Sequence, residues 1–566
     1  MNRIHKMNLR VAQWLLVMLL VGGCADRNTR GPIPTLHTSP EFTESGSDIA
    51  PNRWWTAFED PQLDLQINDA LTNNYSLASA TYRVQAARAV TQREASDFWP
   101  DIDGILGFGS DMGPGENGET YNFGLDASYP VDLWGEIESR VEAQRLRAIA
   151  ECWDYHTGAL ALTAEITSVW FSLIEAHAQA KLLEEQIKTN RTGLELQEER
   201  FRLGLIRSAD VLRQRQLLES TLEQEVVVEL QVEVLEHQLA VLLGDMPQLA
   251  SYESGTLFPE MPPLPTTGFP SELLLRRPDI QRNYYALMAA DKDLASAISA
   301  QYPRLNLGGS IQNIAENPEE LFKDWFVSLG GQLIAPLFDG GQRRAEVERN
   351  RAVKYQLFND YAQSVLVAFR EVEDALAQEK YQLKQIEHLE EQVKLAGQAS
   401  IQLREQYLIG DVEYLDVLSA ITGQQSLQRR LLSAQLDLRL IRVSLYLALA
   451  GSIEATNVEG EDFAVDDFRI ENAAVGNDQP IFDVDSRTVG VNEPINTANV
   501  DPNLDPPGRE PFGSDRFSDL LPEESGVDES RFGQTRVNRS KTPVAPDANP
   551  QEIPLLERLR GTTNNE

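Results

Sequence analysis

The chain has 566 residues, and its formal net charge is −37 at pH 7. Phosphate binding needs clustered Lys and Arg, so this charge argues against a nucleic-acid partner. The two cysteines, Cys24 and Cys152, exclude a disulfide scaffold and a thiolate zinc site.

Arg3, Lys6 and Arg10 precede a mostly apolar run from Val11 to Val21. A basic start followed by a short apolar run predicts a signal peptide over 1–23, too short to span a membrane comfortably. The run ends in "VGGC", which resembles a bacterial lipoprotein signal. That likeness implies that Cys24 becomes the acylated first residue, with a covalent diacylglycerol and an N-acyl chain; no other cofactor is expected. Ala25 directly follows Cys24 and Asp26 comes next, an order that favours outer-membrane sorting. Residues 24–65 are expected to form an N-terminal lipidated extended segment. No later run of about 18 apolar residues is evident, so a membrane crossing would have to use strands.

Residues 66–97 carry apolar and small side chains at helical spacing (Leu71, Leu77, Ala80, Val84, Ala87) and predict one helix, ended by Trp99-Pro100. The period then changes to two. Strands are expected at about 100–111 and 120–130, with Ile102, Leu106, Phe108, Tyr121, Phe123 and Leu125 on one face. Strands of about ten residues, apolar on one side, suit a membrane barrel. After Pro130 and Gly135 a helical pattern runs to about residue 200. At 1.5 Å per residue it would extend roughly 95 Å. "FRLGLIRSADVL", residues 201–212, breaks the pattern at Gly204, and a shorter helix returns over 209–243. The two shorter helices together match the long one, so they are expected to stack end to end beside it. A linker is expected over 248–272.

The second half repeats the first. "YLIGDVEYLDVL", residues 407–418, has the shape of 201–212: Tyr407 answers Phe201, Gly410 answers Gly204, and Asp416 answers Asp210, each 206 positions on. Pro336 and Gly341 answer Pro130 and Gly135 at the same offset. The first repeat is therefore placed at 66–247 and the second at 273–452, since a long internal period marks one structural unit used twice. Its strands are expected at about 303–313 and 324–335, and its helices at 279–301, 342–406 and 414–450. The fold class is thus mainly α with a membrane β-barrel, in two tandem repeats of long antiparallel helices plus a β-hairpin. Four strands leave two open edges, which lipid does not tolerate. Single-chain barrels start at about eight strands, so chains must pool strands: a dimer of eight or a trimer of twelve.

Cys24, "LLLRRPDI" at 273–280, the paired hairpins and the two Gly-x5-Asp-Val turns together resemble the TolC-like outer-membrane efflux proteins, in particular the lipoprotein branch typified by OprM. The likeness covers residues 24 to about 452. It implies a homotrimer in outer-membrane lipid, with a 12-stranded β-barrel on a 12-helix periplasmic α-barrel, docking on a periplasmic adaptor protein and an inner-membrane pump. It places the periplasmic gate at Gly204 and Gly410, with Asp416 as the constriction aspartate and Tyr407 and Asp210 linking the helix pairs of the closed state. Pro130, Gly135, Pro336 and Gly341 form the barrel-to-helix turns. Two positions depart from the pattern: Val412 stands at the gate arginine and Ser419 at a second ring aspartate. Read bottom-up, Asp416 also suits a helix N-cap, while Pro278 and Asp279 suit a first helical turn.

No nucleophile elbow or phosphate loop occurs, and the six histidines form no i, i+4 pair, so no enzyme or metal site is expected. Residues 453–566 turn Pro-rich, acidic and aperiodic, the composition of a disordered tail. The function implied is a passive exit duct of a tripartite efflux or secretion system. The alternatives are a lipid-anchored periplasmic coiled-coil scaffold without a pore, or a type I protein secretion channel.

Overall fold

The computed structural model describes residues 29, 42–46, 51–113, 116–248, 250–268, 270–449 and 451. Cys24 and the acidic tail, the sites of two expectations, lie outside them. A short 3-10 turn, Trp54–Phe58, precedes helix α1 (Pro61–Asn73) and helix α2 (Tyr75–Ala95). Strands β1 (Asp101–Gly113) and β2 (Glu116–Val131) lead into the long helix α3 (Glu136–Arg202) and its return α4 (Ser208–Leu243). A second series follows in the same order. It comprises α5 (Pro270–Arg276), α6 (Pro278–Ser299), β3 (Arg304–Ala315), β4 (Phe326–Ile334), α7 (Gln342–Ile409) and α8 (Tyr414–Leu449).

Three boundaries differ from the sequence reading. The helix expected over 66–97 is two helices, because Asn74 breaks it. The Asn74 side chain accepts from the Leu77 N–H at 3.0 Å and so caps α2. The first of the two starts at Pro61, inside the segment expected to be extended, with Asp60 as its N-cap accepting from Gln62 and Leu63. Likewise α5 begins at Pro270, inside the expected linker. One expectation is overturned: α3 contains a stretch apolar enough by composition to cross a membrane, where the sequence reading found none beyond the N-terminal run. Of that stretch 67% is buried, so its apolarity serves the core, where Trp170 and Phe171 have almost no exposure.

The end-to-end stacking is present. The Asn74 amide donates to the carbonyl of Leu242 at 2.9 Å, which joins the start of α2 to the end of α4. In the second series Arg277, just before Pro278, does the same work. Its guanidinium reaches the Ala448 carbonyl at 3.4 Å and pairs with Asp279 and Glu371 at 2.8 Å each. Burial works against the Arg277 charge, but the two carboxylates outweigh it and lift the guanidinium above its ordinary value. The "LLLRRPDI" stretch is thus a joint where α6, α7 and α8 meet.

Two arginines of α8 tie down the segment 250–268. Arg439 lies over the Phe258 ring at 4.1 Å and donates to the Pro259 carbonyl; burial lowers its pKa to about 10. Arg442 binds Glu379 of α7 and the carbonyls of Pro262 and Pro263. Gly46 in turn bonds to the Pro265 carbonyl. Trp54 stacks on Tyr446 with ring centroids 5.7 Å apart, and Phe58 meets Phe171 edge-on. Each such buried side chain contributes about 1.5–3 kcal/mol relative to exposure.

The four strands form one antiparallel sheet in the order β1-β2-β3-β4. The register pairs Leu106 with Phe123, Leu125 with Ile311 and Gly309 with Leu329. The apolar positions of all four strands therefore share one face, as the period-two reading required. The other face carries Asp103, Asp126, Ser310 and Ser328 in one cross-strand row. Phe123, Phe322 and Trp325 cluster at one end of the sheet, and Trp134 and Tyr302 at the other. Leu329 is 90% exposed on the apolar face. Leu329→Arg is expected to destabilise the assembly by about 2–4 kcal/mol per chain if lipid covers that face. Ser328→Arg, one residue away on the polar face, is expected to be tolerated. Thermal midpoints in detergent decide, and equal midpoints would refute this assignment of the faces.

Candidate functional site

The two helix turns are built alike. Gly204 and Gly410 have φ of +71° and +88°, values that glycine adopts without a Cβ penalty. Each is followed by a residue whose N–H reaches back five positions: Leu205 to the Arg200 carbonyl, and Asp411 to that of Gln406, both at 2.9 Å. These bonds satisfy carbonyls that a helix end leaves open. The return helices begin three to four residues later. Asp210 and Asp416 both lie inside the first turn of their helix, where negative charge complements the dipole. Asp416 is therefore not an N-cap. Its carboxylate is exposed and makes no ion pair among the described residues, whereas that of Asp210 lies 3.4 Å from Arg213.

Tyr407 does not bond to Asp210, as the family likeness implied. Its hydroxyl donates to Oε1 of Gln197 on α3, at 3.1 Å, and its ring lies under the Arg200 guanidinium at 4.6 Å. Beside it, the Tyr414 hydroxyl donates to Oε1 of Gln214 on α4. Burial holds the Tyr414 hydroxyl well above the usual tyrosine range, so it keeps its proton to donate. The two rings are 5.2 Å apart. Val412, at the position of a gate arginine in the likeness, packs with Tyr407, Tyr414 and Val417. The link between the helix pairs α3/α4 and α7/α8 is thus made of neutral hydrogen bonds and a cation over a ring.

Gln197, Arg200, Gln214 and Tyr414 were missed in the sequence. A signal for the first existed. On α3 the buried polar residues Glu175, Gln179, Gln186, Asn190 and Gln197 interrupt the apolar stripe. Several meet α8: Gln179 bonds to the Arg429 carbonyl, Gln186 to Gln428 and Asn190 to Gln425. Glu175, Gln186 and Gln197 stand eleven positions apart, a period of about 3.67 residues per turn that keeps one face on a partner helix.

At the other end of the long helices, Pro130 lies in β2 and Pro336 follows β4. Gly135 and Gly341 are the N-caps of α3 and α7, with φ of +66° and +94°. Two aspartates that the sequence reading passed over finish these turns. Asp132 accepts from the N–H groups of Glu136 and Glu138, and Asp339 from those of Gly341 and Arg343. The bonds from Gly341 and Arg343 hold the Asp339 carboxyl below its usual range. Among the described residues no cluster of His, Cys, Asp or Glu is placed to hold a metal ion. Cys152 is buried, and burial pushes its thiol up, away from the reactive thiolate.

A two-faced sheet without closed edges, carried on long helices that end in paired glycine turns, defines a membrane channel protein. The model of the outer membrane efflux protein family matches residues 66–245 and 269–451, and the chain belongs to that family. The pyoverdine export outer membrane protein OpmQ of Pseudomonas aeruginosa is 27% identical over 388 residues, covering 65% of this chain and 81% of OpmQ. The probable outer membrane lipoprotein SilC of Salmonella typhimurium is 25% identical over 379 residues, covering 64% and 81%. The solved structure of the outer-membrane channel OprN aligns with a TM-score of 0.70 at 26% identity, over 75% of this chain and 99% of OprN. The protein is an outer-membrane efflux channel component that extends into the periplasm.

Proposed function

We propose that three copies of this chain assemble into one exit duct: a 12-stranded β-barrel in the outer membrane, continued by a 12-helix α-barrel through the periplasm. The carrying observation is the sheet. Its β1 and β4 edges are unpaired among the described residues and one of its faces is apolar, and open edges are not stable in lipid. Three sheets closed edge to edge satisfy every strand, and the two series of helices of each chain supply the α-barrel. The turns at Gly204 and Gly410 form the periplasmic gate, where three Asp416 carboxylates narrow the tunnel. A periplasmic adaptor protein and an inner-membrane pump engage this end and supply selectivity, so the duct itself is passive.

Native mass spectrometry of the detergent-purified protein is expected to give three protomers, and planar bilayers a small single-channel conductance. A stable monomer that conducts ions would overturn the trimer; a protein that never conducts would favour the poreless scaffold. Acylation of Cys24, which the likeness to SilC supports, is expected to vanish in Cys24→Ala while the barrel still inserts. The mass of the mature N-terminal peptide decides, and an unmodified N-terminus at another residue would refute the lipid anchor.

A further inference from the structure

Gln214 stands ten residues past the Gly204 turn and is 2% exposed. Its amide makes two bonds in different directions. Nε2 donates to the backbone carbonyl of Asn190 on α3 at 2.7 Å, and Oε1 accepts from the Tyr414 hydroxyl on α8. One side chain therefore joins both helices of the first pair to the return helix of the second. Tyr414 is the first residue of α8 and lies two positions before Asp416. Whatever holds Tyr414 also sets where the Asp416 carboxylate sits.

The amide has a seat. Gly193 lies inside α3, where glycine is unfavourable relative to alanine. A Cβ built there would stand 2.9 Å from Nε2 of Gln214. The glycine makes a notch into which the amide fits, and a methyl group would displace it from both partners. The second helix pair has a comparable notch with a different reach. Gly397 on α7 faces Gln424 on α8, with a built Cβ at 3.5 Å, and Gln424 accepts from Ser400, also on α7. That amide stays within its own pair; the amide of Gln214 crosses to the other.

We propose that Gln214, seated in the Gly193 notch, is the positioning residue that holds α8 inward in the closed tip. This rests on the reading of the two turns as the gate. When the amide is displaced, Tyr414 loses its acceptor, the start of α8 is released, and the three Asp416 carboxylates move apart under their mutual repulsion.

The test uses the full-length channel in planar bilayers, with wild type, Gln214→Leu, Gly193→Ala, Gly397→Ala and Tyr407→Leu side by side. Gln214→Leu and Gly193→Ala are each expected to raise mean single-channel conductance several-fold, and Gly397→Ala to leave it unchanged. The thermal midpoint of Gly193→Ala is expected to fall less than that of Gln214→Leu, since alanine is the better helix former and offsets part of the lost bonding. A stable Gly193→Ala channel with wild-type conductance would show a packing role only and overturn the proposal. Should Gln214→Leu fail to fold, Gly193→Ala decides, because it removes no polar group. If Tyr407→Leu opens the channel and the Gly193 and Gln214 variants do not, the gate stands and the seated amide is wrong. If none of the three opens it, the gate reading fails and takes this inference with it.

Discussion

Tyr407→Leu is expected to move the channel from mostly closed to mostly open. Leucine keeps an apolar body among Tyr414, Val412 and Val417 but removes two interactions with α3. The hydroxyl bond to Gln197 is worth about 1 kcal/mol, and the Arg200 guanidinium over the ring about 0.5–2 kcal/mol. Three protomers act on one opening, so the joint change is about 4.5–9 kcal/mol. Turning a two-state equilibrium from 1:99 to 99:1 takes about 5.5 kcal/mol, which lies within that range. Tyr407→Phe, which keeps the ring under Arg200, is expected to fall between. Asp210→Ala is expected to change little, because Asp210 faces Arg213 and not Tyr407. High salt should if anything favour the closed state, since it screens the exposed Asp416 carboxylates while the Tyr407 link is mostly neutral and buried. Single-channel recordings at low and high salt check all of this. A large opening in Asp210→Ala, with none in Tyr407→Leu, would restore a link through Asp210 of the kind the family likeness implied.

The fold was legible in the sequence where a period was long and uninterrupted. The change from 3.6 to 2 and back located all four strands to within about four residues, and Gly204 and Gly410 located both turns, because only glycine fits their positive φ without strain. The boundaries that failed were set by single polar side chains. Asn74 splits a helical pattern, since its amide serves both the cap of α2 and the end of α4; nothing in the local period announces that second, distant partner. The apolar stretch of α3 was passed over because polar residues such as Thr163, Thr167 and Glu175 interrupt it, although a helix surrounded by other helices is apolar nearly all round. The proposed gate was half legible. The repeat located Tyr407, Asp210 and Asp416, but a pairing depends on which helix lies opposite. Gln197 and Gln214 are ordinary helix residues until α7 and α8 are placed against them.

Arg442→Met is expected to destabilise the protein more than any surface change. Arg442 and Glu379 are buried, with side chains 4% and 8% exposed. The guanidinium binds both carboxylate oxygens of Glu379 and donates to the carbonyls of Pro262 at 2.5 Å and Pro263 at 2.8 Å. Removing one partner of a buried pair leaves the other charge uncompensated, at a cost of about 3–5 kcal/mol. The segment 250–268 then loses its clamp at Pro262 and Pro263, while Arg439 at Pro259, Glu236 at Tyr252 and His177 at Ser254 still hold its first half, so protease cleavage around 262–263 should speed up. Replacing both charges, Arg442→Met with Glu379→Leu, is expected to recover most of the loss, because a buried pair is often no better than an apolar one of similar volume. It should not recover all of it. The two proline carbonyls still lack a donor, and an unmet acceptor costs about 1–3 kcal/mol where water is excluded. The comparison is Arg351→Met, which breaks an exposed pair with Glu348 three residues away on the same helix, worth about 0–1 kcal/mol. Thermal midpoints in detergent and cleavage rates within 250–268 are the readouts. If Arg442→Met fell no further than Arg351→Met, the buried pair would not be what clamps the segment to α7 and α8. If the double variant were no better than the single, the carbonyls of Pro262 and Pro263, and not the charge of Glu379, would be what Arg442 is there to satisfy.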